Sequence, residues 1–212
     1  MPSLTNISNS ANFNLLKARI LSKDAKLAVI GLGYVGLPLA VEFAKAGFDV
    51  TGIEIDKDRL NSIRKKKSYI TDISTEELKG VLATGRLRVL SDFIVLNAMD
   101  VILICVPTPL KRKYQPDISY IKQAVSQVAK NMRKAISIML DRRGFPTPPD
   151  TSAAGRFRLS RLSCGPTLVV LESTTYPGTT EEVILPLLEA GGSRHGENFY
   201  LCFSPERIDP AN

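Results

Sequence analysis

The sequence predicts an α/β fold, a doubly wound parallel sheet with helices on both faces, and three observations carry that prediction. An apolar run, Leu27-Ala-Val-Ile30, enters a Gly31-x-Gly33-x-x-Gly36 turn and then a helix-forming segment. Later runs such as Val101–Val106 and Thr167–Leu171 have the unbroken hydrophobicity of strands buried on both faces. Between such runs lie segments with helical start and stop signals, so strand and helix alternate along the chain.

In chain order, Phe13–Leu21 reads as a short amphipathic helix, expected to pack on its own domain or on a partner chain and too short to anchor in a membrane. Leu27–Ile30 is the first strand. Gly31 then permits a tight turn, Gly33 lets backbone N–H groups approach a pyrophosphate, and Gly36 lets the following helix pack closely on the strand. Tyr34 and Val35 complete the turn, and the helix start beyond it offers unpaired N–H donors and partial positive charge to an anion. That helix runs through Leu37–Ala46, with Gly47 at the left-handed position that ends it. Val50–Ile55 is the next strand, and it carries Glu54 at its tip, near the offset of about 20 residues expected for a ribose-binding acid.

Asp56 caps a helix expected to reach Lys67, and Ser74-Thr-Glu-Glu77 is a capping box for another that stops near Gly85. Pro107 and Pro109 end the strand Val101–Val106. Asp117 caps a helix whose Ile118, Ile121, Val125, Val128 and Met132 share one face. Thr167–Leu171 is a buried strand, Thr179-Thr-Glu-Glu182 opens a helix, and Phe199–Phe203 closes the domain as a fifth strand. In such a sheet ligands bind at the carboxyl ends of strands, where Glu54, Thr108, Ser173, Thr174 and Glu206 stand. Residues 135–165 break the pattern. Their Pro, Ser and Arg content predicts a flexible surface excursion, or else a segment foreign to the fold. Residues 1–25 then form a leader and 26–212 the domain.

Composition bounds the function. With 212 residues, 44% of them hydrophobic, the chain can bury one sizeable core. Its apolar runs fall short of the ~20 residues that span a bilayer, and Met1–Asn14 is polar, so a soluble, cytoplasmic protein is expected. Cys105, Cys164 and Cys202 lack metal-ligand spacing and read as reduced thiols, with no metal site. Of the net charge of +7, residues 1–25 and 135–165 carry five, and no aromatic–basic interleaving accompanies it, which argues against a nucleic-acid partner. His195, the one histidine, sits in a Gly-rich stretch as a loop residue.

With the motifs placed, the chain resembles the NAD-binding N-terminal part of the UDP-glucose/GDP-mannose dehydrogenase family. The resemblance rests on Val29-Ile-Gly-Leu-Gly-Tyr-Val-Gly-Leu-Pro-Leu-Ala40, Lys67-Ser-Tyr-Ile70 with Asp72, Cys105-Val-Pro-Thr-Pro-Leu110, Glu172-Ser-Thr-Thr-Tyr-Pro-Gly-Thr-Thr180 and Ser204-Pro-Glu-Arg207. It implies a Rossmann-type domain and oxidation of the C6 alcohol of a nucleotide sugar to a carboxylate, for polysaccharide biosynthesis. The wording is most similar to the branch acting on UDP-N-acetylglucosamine or related UDP-N-acetylhexosamines, with UDP-glucose as the alternative. By the same resemblance Gly31, Gly33, Tyr34, Val35 and Gly36 hold the pyrophosphate, Glu54 the adenosine ribose, and Thr108 lines the nicotinamide end. Thr174 helps hold a water by the reacting carbon, and Glu206 serves hydrolysis of the covalent intermediate. The charge of Glu54 should repel a 2′-phosphate, so NAD is expected over NADP.

The family's Gly-x-Cys-x-x-Lys segment, its central helix and its C-terminal UDP-binding domain are not in this sequence. The chain is therefore expected to be truncated and inactive alone, binding a UDP-sugar only with that missing half; the partners expected are a second copy in a homo-oligomer or a complementing C-terminal chain. A different class of reading is a non-catalytic dinucleotide-binding or assembly module. A 3-hydroxyacid-type dehydrogenase would share the glycines but not the Glu172–Thr180 run.

Overall fold

The computed structural model describes residues 11–110, 116–132 and 165–205. Six parallel strands form one sheet: β1 (Lys26–Ile30), β2 (Asp49–Ile53), β3 (Leu87–Leu90), β4 (Val101–Ile104), β5 (Thr167–Leu171) and β6 (Phe199–Phe203), in the order β3-β2-β1-β4-β5-β6. The helices are α1 (Ala11–Leu21), α2 (Gly36–Lys45), α3 (Lys57–Arg64), α4 (Thr75–Ala83), α5 (Ser119–Asn131) and α6 (Leu185–Glu189). The direction of winding reverses between β1 and β4. The loops leaving these two strands therefore diverge and open a crevice at the carboxyl edge of the sheet.

The sheet has one more strand than the five expected. Leu87-Arg-Val-Leu90 pairs with β2 from Val50↔Leu87 to Ile53↔Leu90, and as an edge strand it buries only Leu87, so it lacks a continuous apolar run. The central strands do read as both-face-buried. Leu27 and Val29 face a core shared with Leu37, Ala40 and Val41 of α2 and Leu78 of α4. Ala28 and Ile30 face a second core with Ile121, Val125 and Val128 of α5 and Leu188 of α6.

Local chemistry sets the helix ends. The Asp56 carboxylate accepts the N–H groups of Asp58 and Arg59, the Ser74 hydroxyl accepts that of Glu77, and Asp117 accepts that of Ser119 at the start of α5. Gly47 and Gly85 take the left-handed conformation past α2 and α4, at φ 103° and 72°. α3 ends at Arg64, short of Lys67, because Lys66 turns left-handed at φ 56°. A helical segment opens at Thr179 as expected, though Thr179 does not cap it. Its hydroxyl donates to the Tyr176 carbonyl, left-handed Gly178 takes the cap position, and Thr179–Ile184 is a π-helical turn running into α6.

The cap at Asp56 makes a pH prediction. Its bonds to the Arg59 and Asp58 N–H groups hold the carboxyl below its ordinary value, so the cap stabilises above the unfolded-state value and is lost as pH falls through the lower folded one. Urea unfolding between about pH 5 and 2 is expected to show Asp56→Asn, which keeps the acceptor without the titration, with a flatter acid limb than the wild type.

α1 packs on the chain's own domain. Leu16 is buried, Phe13 meets the Tyr200 ring edge-on at 5.6 Å, and Arg19 pairs with the buried Asp100 at 2.9 Å. Asp100 also accepts the N–H of Lys26 at 2.8 Å, tying α1 to the start of β1. Cys105 is buried just past β4, whereas Cys202 lies exposed on edge strand β6. The excursion expected over 135–165 lies, but for Gly165, outside the described residues. Among the described residues there is no metal-holding group of three His, Cys, Asp or Glu, and no helix long and apolar enough to cross a membrane.

Candidate functional site

The turn between β1 and α2 uses its three glycines for three different reasons. Gly31 is left-handed at φ 86°, donates its N–H to the Ile53 carbonyl at 2.8 Å, and leaves no room for a Cβ, which would lie 2.7 Å from the Cys105 carbonyl oxygen. At Gly36 a Cβ would collide with the carbonyl oxygen of Gly31. The start of α2 therefore rests directly on the turn. Gly33 has no such neighbour: a Cβ there would find only Arg59 Nη1, at 3.8 Å. Packing within the protein accounts for Gly31 and Gly36 and leaves Gly33 without a reason, while a side chain at Gly33 would project into the space beside the turn.

That space is a cleft of 260 Å³ lined by Gly33, Tyr34, Asp58, Arg59, Ser62, Tyr69 and Ile70. Among the described residues the backbone N–H groups of Gly33, Tyr34 and Val35 have no acceptor, and the first carbonyl of the helix to be used is that of Gly33, by Leu37 at 3.1 Å. Unpaired donors at a helix start, with a positive dipole end behind them, fit a diphosphate. A Cβ at position 33 would fill part of that cradle.

Glu54 follows β2 and is buried, at 4% exposure, so it is no solvated strand end. Its Oε1 accepts the N–H groups of Ile55 at 2.8 Å and Asp56 at 3.0 Å. Its Oε2 accepts that of Leu32 at 3.0 Å and faces Arg59 Nη1 at 3.4 Å. The acid expected to meet a ribose thus also braces the glycine turn. From the loop between α3 and α4, Tyr69 donates its hydroxyl to the Leu32 carbonyl at 2.7 Å, with the Arg59 guanidinium 5.9 Å from its ring centre. Burial first, and the charge of Glu54 second, push the Tyr69 phenol far above its ordinary value, so it stays a donor.

The remaining predicted residues lie at neighbouring strand ends. Cys105 donates its N–H to the Ile30 carbonyl at 2.8 Å, which places the β4 end, and Thr108 beyond it, beside the end of β1. Thr108 is half-buried between exposed Pro107 and Pro109. Ser173 is buried with its hydroxyl 2.8 Å from the Val106 carbonyl, joining the β4 and β5 ends, so its hydroxyl serves the scaffold. Thr174 next to it is exposed. Glu206 lies outside the described residues. In the sequence Tyr69 stands out only as part of Lys67–Ile70; its contact with Leu32 spans 37 positions, and nothing local announces it.

A doubly wound domain with a glycine turn of this geometry and an acid at the end of β2 belongs to the dinucleotide-binding class. The model of the UDP-glucose/GDP-mannose dehydrogenase family, NAD binding domain, matches residues 25–146, more than half of the chain. The chain belongs to this family of NAD-dependent oxidoreductases, and NAD is its cofactor. It is 34% identical over 191 residues to UDP-N-acetyl-D-glucosamine 6-dehydrogenase of Pseudomonas aeruginosa, covering 90% of this chain and 37% of that one. It is 33% identical over 186 residues to UDP-N-acetyl-D-mannosamine dehydrogenase of Pyrococcus horikoshii, covering 87% and 37%. Among solved structures, GDP-mannose dehydrogenase of Pseudomonas aeruginosa superposes with a TM-score of 0.68 at 27% identity, over 86% of this chain and 36% of that one. The chain spans little more than a third of the length of these relatives.

Proposed function

We propose that this chain is the NAD-holding part of a nucleotide-sugar 6-dehydrogenase, acting on the C6 alcohol of a UDP-N-acetylhexosamine and yielding a uronic acid. The observation that carries the reading is Gly33, whose missing side chain the protein's own packing does not require and a diphosphate beside the turn would. Gly31 and Gly36 shape the turn, and the N–H groups of Gly33, Tyr34 and Val35 bind the diphosphate. Glu54 faces the adenosine ribose, exchanging its long Arg59 contact for a hydroxyl, and its charge disfavours a 2′-phosphate. Thr108 lines the nicotinamide end, and Thr174 and Glu206 serve the reacting carbon and its water. NAD, when bound, accepts the hydride from C6.

The substrate class rests on relatives such as the two N-acetylhexosamine dehydrogenases named above. Calorimetric titration with NAD, run beside thermal unfolding, tests the binding. Saturable heat and a rise in melting temperature are expected, corresponding to about 2.7 kcal/mol at a ligand concentration a hundred times the dissociation constant. No heat and no shift would refute the reading.

A further inference from the structure

The oxygen and the hydrogen of a trans peptide point in opposite directions, so whatever holds one fixes the other. In the glycine turn two successive peptide planes are held from outside. Glu54 Oε2 takes the Leu32 N–H, which fixes the Gly31–Leu32 plane and with it the Gly31 carbonyl on which Gly36 rests. The Tyr69 hydroxyl holds the Leu32 carbonyl at 2.7 Å, which fixes the Leu32–Gly33 plane and so the direction of the Gly33 N–H. That N–H is one of the donors without an acceptor among the described residues, and both Gly33 and Tyr69 line the same cleft.

We propose that Tyr69 is a positioning residue for cofactor binding: its hydroxyl, acting through the Leu32–Gly33 peptide, aims the Gly33 N–H at the diphosphate. The inference rests on the turn being the diphosphate cradle, as in the function proposed above. Tyr69 comes from a different connection than either Glu54 or the glycines, so the turn is gripped from both sides of Leu32. A freely rotating Leu32–Gly33 plane would have to be ordered each time the cofactor binds, and the hydroxyl removes that cost in advance.

Tyr69→Phe tests this in the full chain, because it keeps the ring that lies under Arg59 and deletes only the donor. The NAD dissociation constant is expected to rise about five- to tenfold, as for one lost hydrogen bond, with the preference for NAD over NADP unchanged. The loss should be of similar size for ADP, which carries the diphosphate, and absent for adenosine, which does not, while the melting temperature falls by no more than about 4 °C. Unchanged NAD affinity in the variant, with a wild type that binds NAD, overturns the positioning role alone. A wild type that takes up no NAD overturns the reading of the turn, and this inference falls with it.

Discussion

Gly33→Ala is expected to leave the fold intact and to weaken NAD binding by about a hundredfold or more. The backbone at Gly33 is not left-handed, and the added methyl meets only the far end of Arg59 at 3.8 Å, so nothing in the protein has to move. What the methyl does meet is the bound diphosphate. It stands where the phosphate must approach the N–H groups of Gly33, Tyr34 and Val35. Each charge-assisted hydrogen bond it displaces contributes about 1.5–3 kcal/mol, and the loss of one or two is about one to four powers of ten in affinity. The check is calorimetry beside thermal unfolding: a wild-type melting temperature that no longer responds to NAD. A variant that still binds NAD as the wild type does would remove the cradle from this turn.

Much of this arrangement was legible in the sequence because it depends on local spacing. The distinct reasons for Gly31, Gly33 and Gly36 follow from their order along a strand–turn–helix unit, and the caps at Asp56, Ser74 and Asp117 follow from side chains that bond two or three residues ahead. β3 was not legible, since an edge strand of four residues with one buried side chain leaves no periodic signal. Nor was the second occupation of Glu54. Its offset from the glycines marks it as a ribose acid, while its bond to the Leu32 N–H, 22 residues back, exists only once β2 lies beside β1. Tyr69 is the same case at longer range. At Thr179 the start of a helix was legible but not its form: the left-handed Gly178 before it leads into a π-helical turn, and the Thr179 hydroxyl turns back to the Tyr176 carbonyl.

Gly36→Ala should act on the fold where Gly33→Ala acts on the ligand. The new Cβ would overlap the Gly31 carbonyl oxygen, which is backbone and cannot swing aside as a side-chain tip can. Gly31 has little room to yield. Its N–H is bonded to Ile53, its φ is left-handed, and the Cys105 carbonyl stands 2.7 Å from where its own Cβ would be. The strain must therefore be relieved by lifting α2 away from β1, and α2 buries Leu37, Ala40, Val41 and Ala44 in the core it shares with Leu27 and Val29. Overpacking against so rigid a neighbour is expected to cost about 3 kcal/mol or more, or about 6–12 °C in melting temperature for a chain of this size. Thermal unfolding without ligand reads this directly, and a variant as stable as the wild type would mean that α2 does not rest on the turn. Because the two changes differ by three positions and one methyl each, a loss of stability at Gly36 set against a loss of ligand response at Gly33 would separate what the turn does for the domain from what it does for NAD.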